Sequence, residues 1–279
     1  MFIGFFYSFI GEKKKGQINR VGDELIGNVK SVTWYSYWGT IKSGFPVKDS
    51  LKRKWINEYD IKGNKPKETN YNLDGSISSV NTYTFDERGH NISLTINSSK
   101  RGITSYTYDY KLDESGRVVE KKFNTKRKEI YKYDSMGHEV EEDTYNGDGS
   151  IADSTTYSYD TKGNLIEWKL YNLKGILLRH STKSYDSTGN CIEETDIEDN
   201  WNKDYISKYK LNLEDVNHHK KYKYDNHGNK IEMDEIKMDG RIRIYIYQYE
   251  YDKIGNWIKY VFFVDDKIQG IVEREIQYY

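Results

Sequence analysis

Residues 157–190 read Y-S-Y-D-T-K-G-N-L-I-E-W-K-L-Y-N-L-K-G-I-L-L-R-H-S-T-K-S-Y-D-S-T-G-N and hold one full copy of a unit that recurs along most of the chain. Tyr157 and Tyr159 alternate with small polar residues, so both tyrosines lie on one face of a predicted strand. Asp160 is placed to accept a hydrogen bond from a backbone N–H two residues later, and Gly163 supplies the positive φ that closes a hairpin turn. The unit therefore predicts a strand, a turn, a returning strand and a second turn.

The turn motif D-x-x-G followed by Asn or His occurs seven times. An eighth copy has Arg after the glycine and begins at Asp113. The seven copies begin at Asp60, Asp86, Asp134, Asp160, Asp186, Asp225 and Asp252. Most successive copies are 26 or 27 residues apart. A recurring period of this size indicates a repeat architecture, in which neighbouring units stack and bury each other's faces.

The composition predicts an all-β chain with a thin apolar cover. Only 36% of the 279 residues are hydrophobic, the mean hydropathy is -0.92, and 27 tyrosines carry much of the apolar surface. A tyrosine ring packs on a pleated sheet while its hydroxyl reaches water. We therefore expect tandem antiparallel β-hairpin repeats that form an extended, twisted or curled single-layer sheet.

The repeats cross the midpoint of the chain without a linker rich in Pro, Ser or Gly, so residues 25–279 are predicted to form a single domain. Within that domain, residues 25–58 are expected to cap the N-terminal end and residues 59–256 to hold the repeats. Residues 257–279 are expected to cap the other end, because terminal units of repeat proteins are atypical.

Two segments near the start of the chain break the repeat pattern. Residues 1–24 begin with an apolar run about half as long as a membrane span and continue with a basic cluster. Three interpretations of this segment stay open: a truncated signal sequence, a short amphipathic anchor or an edge strand. Residues 39–50, which contain Gly44, Phe45 and Pro46, are predicted to form a loop.

Charge and motif content argue against several classes of function. The formal net charge is -1, from 43 basic and 44 acidic residues, so we expect no nucleic-acid partner, and no stretch predicts an integral membrane span. The single Cys191 excludes an intramolecular disulfide. No phosphate-binding loop, dinucleotide fingerprint or nucleophile elbow is present. We therefore expect no enzyme, no catalytic residues, no cofactor and no metal.

Adjacent carboxylates occur at residues 141–143 and 193–194. Neighbours on a strand point to opposite faces, so these pairs do not converge on one substrate. They are interpreted as solvated charges that limit aggregation of the sheet.

Aromatic side chains at regular strand spacing are the candidate ligand-binding residues. Such rings stack on sugar rings or pack against a protein partner. Trp201 stands in an acidic, Asn-rich insertion, the kind of loop in which repeat proteins add binding specificity. The candidates are Tyr157, Tyr159, Trp168, Trp201, Tyr222 and Tyr224. The alternative interpretation is that the tyrosines only cover the sheet.

The sequence Y-D-x-x-G-N at residues 59–64, 159–164, 224–229 and 251–256 resembles the YD repeats of the Rhs and teneurin families. It is also similar to short YD-repeat proteins of Bacteroidetes-type bacteria, over a region that runs from about Asn28 to the C-terminus. The resemblance implies spiralling β-sheet, here part of a shell. In large members that shell encloses a toxin or displays carbohydrate- and protein-binding surfaces outside the cell.

Two functional hypotheses follow. The first is a non-enzymatic module of the bacterial cell envelope, or a secreted one, that binds carbohydrate or protein through a face rich in tyrosine and tryptophan; a cytoplasmic location stays open. The second is a structural or assembly component linked to toxin delivery or immunity. Such a component pairs with another chain, or with a second copy, through open sheet edges.

Overall fold

A computed structural model describes residues 25–198 and 217–279, and all regular elements in this part of the chain are β-strands. The all-β antiparallel class is therefore confirmed, while the predicted segment 1–24 lies outside the described residues. The strands are β1 (Val29–Lys42), β2 (Phe45–Glu58), β3 (Lys67–Tyr71), β4 (Ile77–Phe85), β5 (Asn91–Ser98), β6 (Gly102–Leu112), β7 (Val118–Phe123), β8 (Lys128–Tyr133), β9 (Glu139–Tyr145), β10 (Ile151–Tyr159), β11 (Leu165–Asn172), β12 (Leu177–Tyr185), β13 (Cys191–Glu198), β14 (His218–Tyr224), β15 (Lys230–Lys237), β16 (Ile242–Tyr251), β17 (Trp257–Val264) and β18 (Lys267–Tyr278).

The eighteen strands form one sheet whose first and last strands are paired. β18 runs antiparallel to β1, in a register that extends from Val29 opposite Tyr278 to Tyr37 opposite Ile271. The expectation of an open, extended or curled sheet is therefore wrong, because the order of strands closes on itself. The edges proposed for self-association are paired among the described strands. Burial of apolar side chains favours the pairing of β1 with β18. Val29 of β1 is fully buried, and Tyr278 of β18 packs against the apolar cluster that contains Val29.

The D-x-x-G turns form as predicted, and Asp160 shows how. Its carboxylate Oδ1 accepts the backbone N–H groups of Lys162 and Asn164 at 2.8 and 2.9 Å. Gly163 has a φ of 86°, a conformation that a side chain with a Cβ rarely adopts. The Asn164 amide Nδ2 also donates to Asp160 Oδ2 at 2.8 Å, so the residue after the glycine closes the turn.

That closing contact explains why Asn, His and Arg all occur after the glycine. His138 Nδ1 lies 3.0 Å from Asp134 Oδ2. Arg117 Nε donates to Asp113 Oδ2 at 2.7 Å in the eighth copy. Three chemically different side chains thus supply the same N–H donor to the carboxylate.

Six returning strands, β5, β7, β9, β11, β13 and β15, begin with a β-bulge. In the repeat of residues 157–190, Tyr159 pairs with Leu165 and Ser158 pairs with Glu167, so Ile166 is the extra residue. The same shift occurs at Ile192, because Tyr185 pairs with Cys191 while Ser184 pairs with Glu193. A bulge reverses the alternation after the turn. This shift places Glu167 and Glu193 on the face opposite the tyrosines.

The predicted loop over residues 39–50 is wrong, because these residues extend β1 and β2 into a long hairpin. Its turn consists of Ser43 and Gly44, which have φ values of 50° and 82°. Two consecutive positive φ values match the two-residue turn whose twist suits a hairpin. Pro46 is tolerated opposite Ile41 because this part of the ribbon has no further strand that needs its N–H.

The described chain divides into two compact units. Unit 1 holds the described residues up to Ser105 together with 248–262 and 268–279, and unit 2 holds 106–247 with 263–267. In unit 1, an apolar cluster is built from Leu25, Val29, Val32 and Tyr59. In unit 2, the buried positions are mostly polar; they include Asp143, Thr144, Thr155, Ser181, Asp196 and Asn217.

Candidate functional site

The tyrosines that precede the D-x-x-G turns hold neighbouring repeats together. Tyr159, a predicted ligand-binding residue, donates its hydroxyl hydrogen bond to the main-chain carbonyl of Glu139 at 2.8 Å, and its ring stacks on His138. Tyr224, another predicted residue, donates to the carbonyl of Cys191 at 2.6 Å. In each case the acceptor is the residue that opens the returning strand of the preceding unit.

The same contact recurs in other repeats of unit 2. Tyr133 donates to the carbonyl of Val118, and Tyr185 donates to the carbonyl of Leu165, both at 2.7 Å. Burial raises the pKa of Tyr133 to about 12. These phenols therefore stay neutral and donate hydrogen bonds between repeats. The sequence pattern alone does not predict this structural role.

Tyr157 and Trp168, two further predicted residues, are directly opposite each other on β10 and β11. Both are half-buried, and the Tyr157 hydroxyl donates to Glu142 Oε2 at 3.2 Å. The guanidinium carbon of Arg179 lies 5.2 Å from the Trp168 ring centroid, at cation–π distance. The structure therefore brings two of the predicted aromatic residues together.

A row of polar residues continues from Trp168 across the next strands. Trp168 pairs with Ser181 on β12, Ser181 with Asp196 on β13, and Asp196 with His218 on β14. We call Tyr157, Trp168, Ser181, Asp196 and His218 the polar–aromatic row. Since directly opposed residues share a face, these five side chains lie on one face of unit 2.

Two members of the polar–aromatic row have unused hydrogen-bonding groups. Ser181 is fully buried, and its hydroxyl has no hydrogen-bond partner among the described residues. Neither ring nitrogen of His218 has a hydrogen-bond partner there either, and Nε2 lies 3.9 Å from Asp196 Oδ2. Burial lowers the pKa of His218, and the nearby charge of Lys220 lowers it further. A buried polar group without a partner costs about 1–3 kcal/mol.

Arg179 neutralises Asp196 of the polar–aromatic row and the neighbouring Glu198. Its Nε donates to Asp196 Oδ1 at 2.8 Å, its Nη2 contacts Asp196 Oδ2, and it forms an ion pair with Glu198 at 3.1 Å. The sequence pattern does not predict Arg179, Asp196, Ser181 or His218 as site residues. Alternation along each strand places residues on a face, but only the register between strands shows that these four meet.

Tyr222 lies further along β14 and is buried. Its hydroxyl donates to Glu194 Oε2 at 2.7 Å, and Lys230 Nζ lies 3.8 Å from its ring centroid. Burial and the Glu194 carboxylate raise the pKa of Tyr222. The remaining predicted residue, Trp201, lies outside the described residues.

The carboxylates interpreted as solvated charges divide between the two faces. Glu141 pairs with the exposed Lys132, as that interpretation requires. Glu142 instead lies on the half-buried tyrosine face, and burial followed by the charge of Glu129 raises its pKa. For Glu139 the same causes, burial first and then neighbouring carboxylates, raise the pKa to about 7. The prediction is therefore wrong for Glu142.

Over residues 25–198 and 217–279, no group of three or more His, Cys, Asp or Glu side chains is arranged to hold a metal ion. In the same ranges, no helix has the length and apolar character needed to cross a bilayer.

The comparisons with known proteins give distant matches. The model of a family of proteins of unknown function, DUF2963, matches residues 48–95, which run from β2 into β5. A search of the curated proteins finds no match.

Among solved structures, the chain is similar to a porin-like protein from Bacteroides uniformis, with 10% identity, a TM-score of 0.44 and coverage of 89% of this chain and 96% of that one. A porin-like protein from Bacteroides vulgatus has 13% identity and a TM-score of 0.30, with 90% and 98% covered. The crystal structure of TcdB2-TccC3-TEV has 12% identity and a TM-score of 0.38, with 82% of this chain and 14% of that one covered.

Proposed function

We propose that this protein is a non-enzymatic, YD-type repeat protein of the bacterial cell envelope that binds a carbohydrate through the polar–aromatic row. The observation that carries the proposal is the strand register that sets the half-buried rings of Tyr157 and Trp168 directly opposite each other on one face of the sheet.

The chemistry of the polar–aromatic row suits a sugar. A pyranose ring presents an apolar face that packs on an aromatic ring, and Tyr157 and Trp168 supply two adjacent rings. Its hydroxyls need polar partners, and the part-exposed Arg179 guanidinium beside Trp168 is placed to donate to them. Ligand sites combine apolar walls with a few placed polar groups in this way.

The same face would also serve a protein ligand that presents a polar side chain, and a pull-down with the Trp168→Ala variant as control tests that form of the proposal. The assembly role through open edges receives no support, because β1 and β18 pair with each other. The envelope location rests on the resemblance of the Y-D-x-x-G-N repeats to extracellular repeat families. Fractionation of cells that produce the full chain tests that location independently.

The test of binding is a glycan array followed by calorimetric titration of the best glycan. Trp168→Ala and Tyr157→Ala are expected to weaken binding at least about tenfold, which corresponds to 1.4 kcal/mol. Ser158→Ala is the matched control, because Ser158 is an exposed serine on the opposite face of β10. Absence of any saturable glycan, or equal losses for all three variants, would exclude the proposal.

A further inference from the structure

The turn between β9 and β10 contains the only Asn-Gly step in the sequence. Residues 146–150 read N-G-D-G-S, and no other asparagine of the chain is followed by glycine. Asn146 and Gly147 are both exposed to solvent. The side-chain carbonyl of an asparagine is open to attack by the next main-chain nitrogen, and glycine has no Cβ to crowd that nitrogen.

The turn between β3 and β4 has the same construction with leucine in place of that glycine. Residues 72–76 read N-L-D-G-S. In both turns the asparagine Nδ2 donates to the serine hydroxyl four residues later, at 2.9 Å from Asn72 and 3.1 Å from Asn146. In both turns the aspartate Oδ1 accepts the serine backbone N–H at 2.9 Å. The two asparagines therefore differ mainly in the residue that follows them.

Glycine at position 147 has a structural cause in the shortened repeat beside it. The unit from Asp113 to Asp134 spans 21 residues, whereas most units span 26 or 27. Its turn between β7 and β8 lies so close that a Cβ on Gly147 would stand 3.1 Å from the Lys126 Cβ and 3.4 Å from the Thr125 carbonyl oxygen. The shortened repeat therefore favours a residue without a side chain directly after Asn146.

The groups that would react at this turn are lightly held. Among the described residues, the Asn146 side chain makes the single hydrogen bond to Ser150, and the Gly147 N–H donates to no group. The corresponding Asn172, in the turn between β11 and β12, differs in both respects. Its Oδ1 accepts two backbone N–H groups at 2.9 and 3.1 Å, and it is followed by leucine.

We propose that Asn146 is a site of spontaneous deamidation. The Gly147 main-chain nitrogen attacks Asn146 Cγ, and the new C–N bond closes a succinimide ring. The bond from Cγ to Nδ2 breaks, and Nδ2 leaves as ammonia with the proton of the Gly147 N–H. Water then opens the ring at either carbonyl and yields aspartate or isoaspartate. The net reaction consumes water and exchanges an amide for a carboxyl group, so no oxidant or cofactor is needed.

Deamidation alters the turn in two ways. Either product adds a negative charge and removes the Nδ2 donor to Ser150 Oγ. In isoaspartate the main chain runs through the side-chain carbons, so the Asn146 carbonyl that accepts the Gly149 N–H at 3.0 Å no longer belongs to a peptide group. The β9–β10 turn therefore loosens as the protein ages. Asn146 lies outside the polar–aromatic row, so this inference does not depend on glycan binding.

The test is incubation of the full chain at mildly alkaline pH, with peptide mass spectrometry at intervals. Loss of the amide at Asn146 is expected to be at least about tenfold faster than at Asn72, which corresponds to 1.4 kcal/mol in activation free energy. Asn172 is expected to be no faster than Asn72. Labelling by a protein-isoaspartate methyltransferase should grow with time and should be reduced in Asn146→Gln.

The matched variant is Leu73→Gly, which places glycine after asparagine in the equivalent turn and changes a side chain that is 68% exposed. It is expected to raise the rate at Asn72 to that of Asn146. Equal rates at Asn146 and Asn72 in the unchanged chain would overturn the proposal. Loss of the Asn146 amide only in the presence of denaturant would overturn it too, because the folded turn would then protect the site.

Discussion

The Tyr159 hydroxyl donates a hydrogen bond of 2.8 Å to the main-chain carbonyl of Glu139, and this bond joins the end of one hairpin repeat to the start of the previous returning strand. The tyrosines that give the chain its aromatic character are thus structural donors as well as apolar cover.

Removing that donor is expected to destabilise the chain. Tyr159→Phe keeps the ring on His138 but leaves the Glu139 carbonyl without this bond, at a cost of about 0.5–1.5 kcal/mol. Chemical denaturation measures the change. Tyr106→Phe is the control, because no hydrogen bond to the Tyr106 hydroxyl is found among the described residues. If the denaturation midpoint of Tyr159→Phe equals that of the unchanged chain, the structural role of the Tyr159 hydroxyl is contradicted.

The residue after the turn glycine is expected to be interchangeable only among N–H donors. Asn164→His retains the contact to Asp160, as His138 does with Asp134, and so should keep the melting temperature. Asn164→Ala loses the contact and should lower the melting temperature by a few degrees. Thermal unfolding of the two variants side by side distinguishes a closing contact from a preference of the turn for small polar residues.

Acid is expected to weaken the turns. The Thr188 hydroxyl, followed by the Asn190 N–H, lowers the pKa of Asp186 to about 2. Because the folded pKa lies below the unfolded value of about 3.9, the stabilisation is present above that value and is lost as pH falls toward 2. Thr188→Ala should reduce the loss of melting temperature between these pH values. If the melting temperature of Thr188→Ala depends on pH in the same way as that of the unchanged chain, this contribution is ruled out.

The opposite pH dependence is expected at Glu139. Its pKa is raised to about 7 by burial and by neighbouring carboxylates. The folded state therefore holds a proton that the unfolded state releases above about pH 4.3, so stability falls as pH rises toward 7. Glu139→Gln should stabilise the chain by about 1–2 kcal/mol at pH 8 and change little at pH 4. Denaturation at both pH values is the measurement, and a gain of equal size at both would point to another cause.

Ser181→Ala is expected to increase stability and to leave ligand binding unchanged, because the Ser181 hydroxyl has no accessible surface. The variant removes a buried hydroxyl that has no partner among the described residues, which is worth about 1 kcal/mol. The exposed Ser158→Ala should change neither property. If Ser181→Ala is destabilising, an unseen partner such as ordered water already satisfies the hydroxyl.

Much of the local structure could be predicted because its causes lie within a few residues. Asp160 and Gly163 form their turn through contacts two to four positions apart, and Tyr157 alternates with small polar residues on its strand. Residues 39–50 were predicted wrongly because the Gly-Phe-Pro sequence favours a loop, whereas the two positive φ values at Ser43 and Gly44 allow a tight hairpin.

The candidate site could be predicted only in part. Tyr157 and Trp168 were selected as aromatic residues, and the structure places them opposite each other. Ser181 and His218 were not selected, because a serine and a histidine on different strands become neighbours of Asp196 only through the register of β12, β13 and β14.

The sequence by itself determined the strands and their turns, since aspartate hydrogen bonds, glycine φ values and the two-residue alternation act over short distances. Only the tertiary structure decided that β18 returns to β1, an arrangement held by contacts such as the 2.7 Å bond from the Ile26 N–H to Asn256 Oδ1, 230 residues apart. The pairing of β18 with β1 depends on the register between strands far apart in sequence and on the burial of apolar side chains from both, which no single stretch of sequence encodes.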